Sequence, residues 1–455
     1  MPGLKPTLRM ENLEAREVPA VFTVNGLADS ITPDGELTLR EAISLNTGAI
    51  TFSSLSSFEK AQVSGTIGTN DTIQFSTSGT ILLGSDLPMM SKKLTIEGPG
   101  ASSLTVDGNS QHVPFTVSAS GDVTISKLTE NAGFSATVGG GLLNNGKLTV
   151  SQVEFRNNNC GTYGGAVENN GTLTVDQCFF DGNSAQGVGG GLDNNATATV
   201  TNSTFQNNSA GNNGGAVWSD GTLVLTNDTF VQNVVNGYGG AIRLTGGTTT
   251  ITSSTLSFNS ANNDAVGGET GAGISNDGGT LTLNNSVLTN NLRRLPGNTS
   301  EASEINGIAS GQFNFIGVDT GLVGITGGVK NNRVGTNANY LTASLANPAM
   351  NGGFAPTMLP NPGSPLIGTG APVALAATVD QLGHARTDGA TTVGAVEVAV
   401  PVSVSPPPVA PSPPPGGGGG QPSPTHVDLY AVGADAGGGP RVRVFNADGS
   451  ERFSF

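Results

Sequence analysis

Between residues 139 and 294 the chain repeats one arrangement of apolar and polar positions. Gly-Gly-(Ala/Gly)-(Val/Leu/Ile) stands at 139–142, 164–167, 189–192, 214–217 and 239–242, a spacing of 25, and Gly271-Ala272-Gly273-Ile274 follows after 32. Sixteen residues into each of the first four copies comes Phe-x-x-Asn, led by Phe155, Phe180, Phe205 and Phe230, and Leu256 and Leu288 continue it with Leu for Phe. Between the tetrads lies a short alternating run such as Leu148-Thr149-Val150, Leu173-Thr174-Val175 or Leu223-Val224-Leu225. Alternation with a period of two predicts strands, and the Gly and Asn between them predict turns. Each copy thus predicts three short strands, too few to close a core alone but enough when every copy becomes one coil stacked on the last. The expected fold is all-β: a right-handed parallel β-helix with coils of about 25 residues.

Stacking converts columns of the repeat into ladders spaced by about 4.7 to 4.9 Å. Three columns are expected to face inward: Leu142, Val167, Leu192, Val217, Ile242 and Ile274; Val150, Val175, Val200, Leu225, Ile251 and Leu283; and the four phenylalanines. The Asn column at 158, 183, 208, 233, 259 and 291 is expected in a turn, where amides bond along the axis and Asn tolerates left-handed backbone. Upstream, residues 71–133 carry less regular strand patterns, including Thr72-Ile73-Gln74-Phe75 and Leu94-Thr95-Ile96, that extend the same core. Thr38-Leu39-Arg40-Glu41 fits a capping box opening a short helix through Ala42, Ile43 and Leu45, suited to covering the exposed first coil.

These patterns divide the chain into a leader-like segment (1–20), a cap with irregular coils (21–138), regular coils (139–294), C-terminal coils (295–400), a linker (401–425) and a terminal fragment (426–455). One β-helix is expected from about residue 21 to 400. The linker is marked by ten of the 25 prolines and by the run Gly416 to Gly420.

Composition then narrows the function classes. Only 12% of the 455 residues are charged and the net charge is −15, so the basic stripe that phosphate binding needs is missing and no nucleic acid is expected as a partner. No run of about 18 to 20 apolar residues is long enough for a transmembrane helix. Residues 1–20 place Glu11, Glu14 and Glu17 where a secretory signal has its apolar core. Cys160 and Cys178 fall in different columns and are expected to be free thiols. His112, His384 and His426 lie far apart and outside the repeats, so neither a triad nor a histidine metal cluster is expected, and no cofactor.

The paired tetrads resemble those of the polymorphic outer membrane protein family, whose passengers are β-helical surface adhesins. Leu37-Thr38-Leu39-Arg40-Glu41-Ala42-Ile43 resembles the CSLREA segment that opens many bacterial β-helix surface proteins, with Leu37 in place of its Cys and Thr38 in place of its Ser. Leu359-Pro360-Asn361-Pro362-Gly363-Ser364-Pro365-Leu366-Ile367, Asp380-Gln381-Leu382-Gly383-His384-Ala385-Arg386 and Val393-Gly394-Ala395-Val396-Glu397 resemble a choice-of-anchor domain, with Gly368 where an Asp is usual. Leu13 to Ala20 is similar to a leader on large surface proteins of planctomycete-type bacteria, and Val432 to Phe445 resembles one FG-GAP-like propeller unit. Together these resemblances imply a bacterial protein, secreted or held at the cell surface near the outer membrane. They also imply a structural and adhesive role toward glycans or cell-surface proteins.

β-Helices also carry polysaccharide lyases and glycoside hydrolases, so an enzyme is the alternative. Such chemistry needs carboxylates, often with a cation, gathered on one outer face. The best column for it follows the Gly-Gly tetrad: Glu168 and Asp193 as candidate catalytic carboxylates, Trp218 as an aromatic platform for a ligand and Arg243 as the cation. The opposing reading is that an outward position in a polar array varies freely. Arg156 and Asp181 share another column and predict an exposed ion pair rather than a site.

Overall fold

The computed structural model describes residues 18–398, apart from positions 69, 266, 267, 269, 298, 388 and 390, together with three short strands between residues 430 and 454. The chain divides into two units, Met1–Val400 and Pro401–Phe455. The leader-like residues 1–17 and the 401–425 linker lie outside the described residues. In the second unit Tyr430–Val432, Arg443–Phe445 and Glu451–Ser454 pair as an antiparallel meander.

The first unit is a parallel β-helix of about ten turns. Successive copies pair in register: Val167 with Leu192, Leu192 with Val217, and Val217 with Ile242. From Gly164 onward each regular coil holds four strands rather than the expected three, whereas in the first the long strand Lys147–Arg156 spans two of them. In one coil these are Val167–Asn169, Thr172–Asp176, Phe179–Asp181 and Ser184–Ala185. The fourth is a two-residue strand of small side chains whose sequence carries no alternation. Every member of the three expected inward columns is buried. The phenylalanine rings stack face to face at centroid distances of 4.8, 4.3 and 4.9 Å, which is the spacing of the strands that carry them. Ahead of Phe155 the same column begins with Glu130, fully buried, whose carboxylate accepts a 2.7 Å hydrogen bond from Asn158 Nδ2.

The Asn column forms the expected ladder. The Asn208 side-chain oxygen accepts from both the backbone N–H and the amide of Asn183, and its own amide reaches Phe180 O and Asn233 Oδ1. The left-handed backbone, however, falls one residue earlier, at Asn157, Gly182, Asn207, Gln232, Phe258 and Asn290. The column Asn must instead turn its side chain inward to satisfy the buried corner. A second polar ladder, Cys178, Ser203, Asp228, Ser254, Ser286 and Asn314, lines the corner before the phenylalanine strand, each backbone N–H donating to the next side chain.

Helix Leu39–Thr47 opens with the full capping box between Thr38 and Glu41 and ends at Gly48 in left-handed conformation. Its Leu39, Ala42, Ile43 and Leu45 join the same core as Phe22 and Ile73, and Val63–Ser64 pairs antiparallel with Val21–Val24 at the edge of the first coil. Both cover the open end.

The solenoid stops short of the expected residue 400. Its last paired strand is Arg333–Val334. Residues 341–398 instead run back along the outside as a strap over the outward-facing column Thr204, Thr229, Thr255, Val287 and Phe315, all buried. Gln381 clamps two coils, its amide donating to Thr204 Oγ1 and Ser203 O while its oxygen accepts from Thr229 Oγ1 at 2.6 Å. Arg386 bonds Glu397, the carbonyls of Gly394 and Ala395, and Asn227 Oδ1. The segments that resemble a choice-of-anchor domain are thus the ones that fasten the strap to the solenoid.

Candidate functional site: a carboxylate groove

The Gly-Gly tetrads set the geometry of one outer face. Gly164 has φ +64°, and a Cβ there would lie 2.4 Å from the Val167 carbonyl oxygen; a Cβ on Gly165 would lie 2.2 Å from Gly190 O. Only glycines allow so sharp a bend. The bend folds the chain back so that the residue before the pair flanks the residue after the tetrad. Tyr163, Val188, Asn213 and Tyr238 bridge from coil to coil as one column. Glu168, Asp193, Trp218 and Arg243 pair as the other.

Between them lies a groove of about 440 Å³ lined by Tyr163, Glu168, Val188, Asp193, Asn195, Asn213 and Trp218. Glu168 and Asp193, side by side on adjacent coils, retain only 5% and 1% of their exposure. These residues point outward, as expected of the column, but the neighbouring column encloses Glu168 and Asp193.

Their hydrogen bonding is incomplete. Glu168 Oε1 accepts from Asn170 Nδ2 at 3.0 Å, whereas Glu168 Oε2 and Asp193 Oδ1 are buried without a hydrogen-bond partner. Burial raises the Glu168 carboxyl above its ordinary range. Burial first, then repulsion from Glu168 and Asp220, pushes Asp193 up to about 8. The same two carboxyls, adding to burial, raise the nearby Cys160 thiol.

Trp218 follows Asp193 in the column and is half-buried at the groove. Arg243 follows Trp218, but its guanidinium is committed elsewhere: it donates to Ser275 Oγ at 2.6 Å and to Asp277 Oδ2 at 2.8 Å and lies 4.6 Å from the Tyr238 ring centroid. The structure brings Glu168, Asp193 and Trp218 to one groove and leaves Arg243 outside its lining. Sequence reasoning missed Tyr163, Val188 and Asn213. The signal was present, since a side chain large or polar enough to form a wall precedes each Gly-Gly pair.

Other candidates do not build a site. Arg156 Nη1 lies 2.8 Å from Asp181 Oδ2 and its Nε 2.7 Å from Glu154, a surface ion-pair cluster of the expected kind. Cys160 ends the strand Asn159–Cys160, Cys178 sits in a corner, and both are buried free thiols. Among the described residues no three His, Cys, Asp or Glu side chains are grouped to hold a metal, and no helix is long and apolar enough to cross a membrane. No family model, curated protein or solved structure matches the chain.

Proposed function

We propose that this chain is a non-enzymatic binding solenoid of a bacterial cell surface or secretome, which holds glycan chains in the Tyr163–Trp218 groove. The observation that supports it is the meeting of two buried, under-bonded carboxyls with an aromatic side chain in one open groove. Carboxylates accept hydrogen bonds from sugar hydroxyls, while an indole offers an apolar face with a polar edge. Repetition along the solenoid favours many weak contacts, so avidity toward glycans or neighbouring surface proteins suits the fold. The resemblances to polymorphic outer membrane proteins, the CSLREA segment and choice-of-anchor domains support placement at the surface.

A carbohydrate-active enzyme is the second reading, favoured by the carboxyl pair itself. Strand spacing of about 4.7 to 4.9 Å lies near the roughly 5 to 5.5 Å between the carboxyls of retaining glycosidases. In that reading Asp193, raised to about 8 by burial, is the acid and Glu168 its partner. A panel of polysaccharides incubated with the full chain separates the two readings, with retained sugar and released product measured in the same samples. Retention without product supports binding. Product that disappears in Glu168→Gln and Asp193→Asn transfers the case to the enzyme, and neither retention nor product contradicts both.

A further inference from the structure

We infer that the groove prefers a glycan bearing protonated primary amines, a de-N-acetylated amino sugar, and seats its ammonium group between Glu168 and Asp193. This rests on the glycan-binding reading and specifies its ligand.

Two carboxyls with buried, unpartnered oxygens stand on adjacent coils, so each adds to the cost of ionising the other. A neutral hydroxyl brings one donor and leaves that repulsion in place. An ammonium brings three donors and a compensating charge, so one group serves both orphaned oxygens. Trp218 and Tyr163 share the lining, and aromatic rings attract a cation seated near them. A bare metal ion is a poorer fit, since no third acidic ligand joins the pair among the described residues.

A repeating sugar fits better than a lysine-rich peptide because of the rim. Asn170 donates to Asn145 Oδ1 at 3.2 Å and Asn195 to Asn170 Oδ1 at 3.0 Å, an amide ladder that presents hydroxyl-compatible contacts on three successive coils. The charged and titratable groups around the pair are Asp220, Cys160 and Tyr163, all of them neutral or acidic. The cation of the column, Arg243, follows Trp218 and is paired with Asp277. Below the pKa of the amine the seated ammonium favours the ionised form of Asp193, so binding expels a proton to solvent and strengthens as pH rises toward that pKa.

Isothermal titration of the full chain at a pH below the pKa of the probe amine, in two buffers of different ionisation enthalpy, tests this. The probes are a glucosamine oligomer, its N-acetylated counterpart, a glucose oligomer and oligolysine. The glucosamine oligomer is expected to bind at least about tenfold more tightly than either neutral glycan, with proton release and weakening by salt. Glu168→Gln and Asp193→Asn, both isosteric with the protonated acids, are expected to erase the preference while keeping a cooperative melting transition. Trp218→Ala is expected to weaken all glycans alike and leave the preference. Equal affinity for amino and neutral glycans overturns the inference and leaves the glycan reading intact. No glycan binding overturns both, and oligolysine binding as tightly as the glucosamine oligomer overturns the sugar specificity.

Discussion

At the scale of single residues, the solenoid depends on side chains that repeat because their neighbours above and below repeat. Phe205 stacks between Phe180 and Phe230 with no exposed surface, so Phe205→Ala opens a cavity that adjoining coils cannot fill. The expected loss is about 3 to 5 kcal/mol, read as a lower denaturant midpoint at unchanged slope. An unchanged midpoint removes the ring from the core. Buried acids set the pH dependence. Asp193 is raised to about 8 and Glu304 to about 7, while Glu130 and Asp228 lie well above their ordinary range, each mainly through burial. The folded chain therefore binds more protons than the unfolded chain once pH exceeds the ordinary carboxyl range of about 4. Stability present below that range is lost as pH rises through the folded values. Melting is expected at a higher temperature near about pH 5 than near about pH 8.5, and Glu130→Gln should flatten part of that slope. A midpoint that climbs with pH contradicts the account.

At the scale of elements, legibility followed periodicity. The three inward columns and the Asn ladder were readable because their residues recur at a fixed interval and differ in polarity from what lies between them. Helix Leu39–Thr47 was readable because Thr38 and Glu41 occupy the two ends of a capping box. The fourth strand was not, because Ser184-Ala185 offers neither alternation nor bulk. The strap was not, because Thr204, Thr229 and Thr255 look like solvent-facing threonines until residues 341–398 cover them. Gln381 is the clearest test of that cover. Gln381→Ala leaves the Thr229 hydroxyl without its acceptor under the strap, while Thr204 Oγ1 keeps Pro356 O and Ser203 O keeps the Thr229 N–H, and about 1 to 3 kcal/mol for that unsatisfied group is the expected cost. Hydrogen exchange should show faster labelling across residues 343–398 with the inner coils still protected; unchanged exchange there contradicts the clamp.

At the scale of the molecule, Glu168, Asp193 and Trp218 were brought to notice by sharing a column, but the groove that gives them meaning was not visible in sequence. It arises from how the Gly-Gly bends set two columns against each other, a relation between turns rather than a motif. A capped first coil, a fastened strap and a groove of under-bonded carboxyls suit the proposed role of holding an extended polymer. Trp218 is the single tryptophan of the chain and lines that groove, so its fluorescence reports occupancy directly. The decisive measurement is a titration of the full chain with a glucosamine oligomer while following Trp218 emission. A saturable shift, displaced to at least about tenfold higher concentration in Asp193→Asn and opposed by salt, is the predicted result, whereas a glycan that binds the chain without perturbing Trp218 contradicts the assignment of the groove.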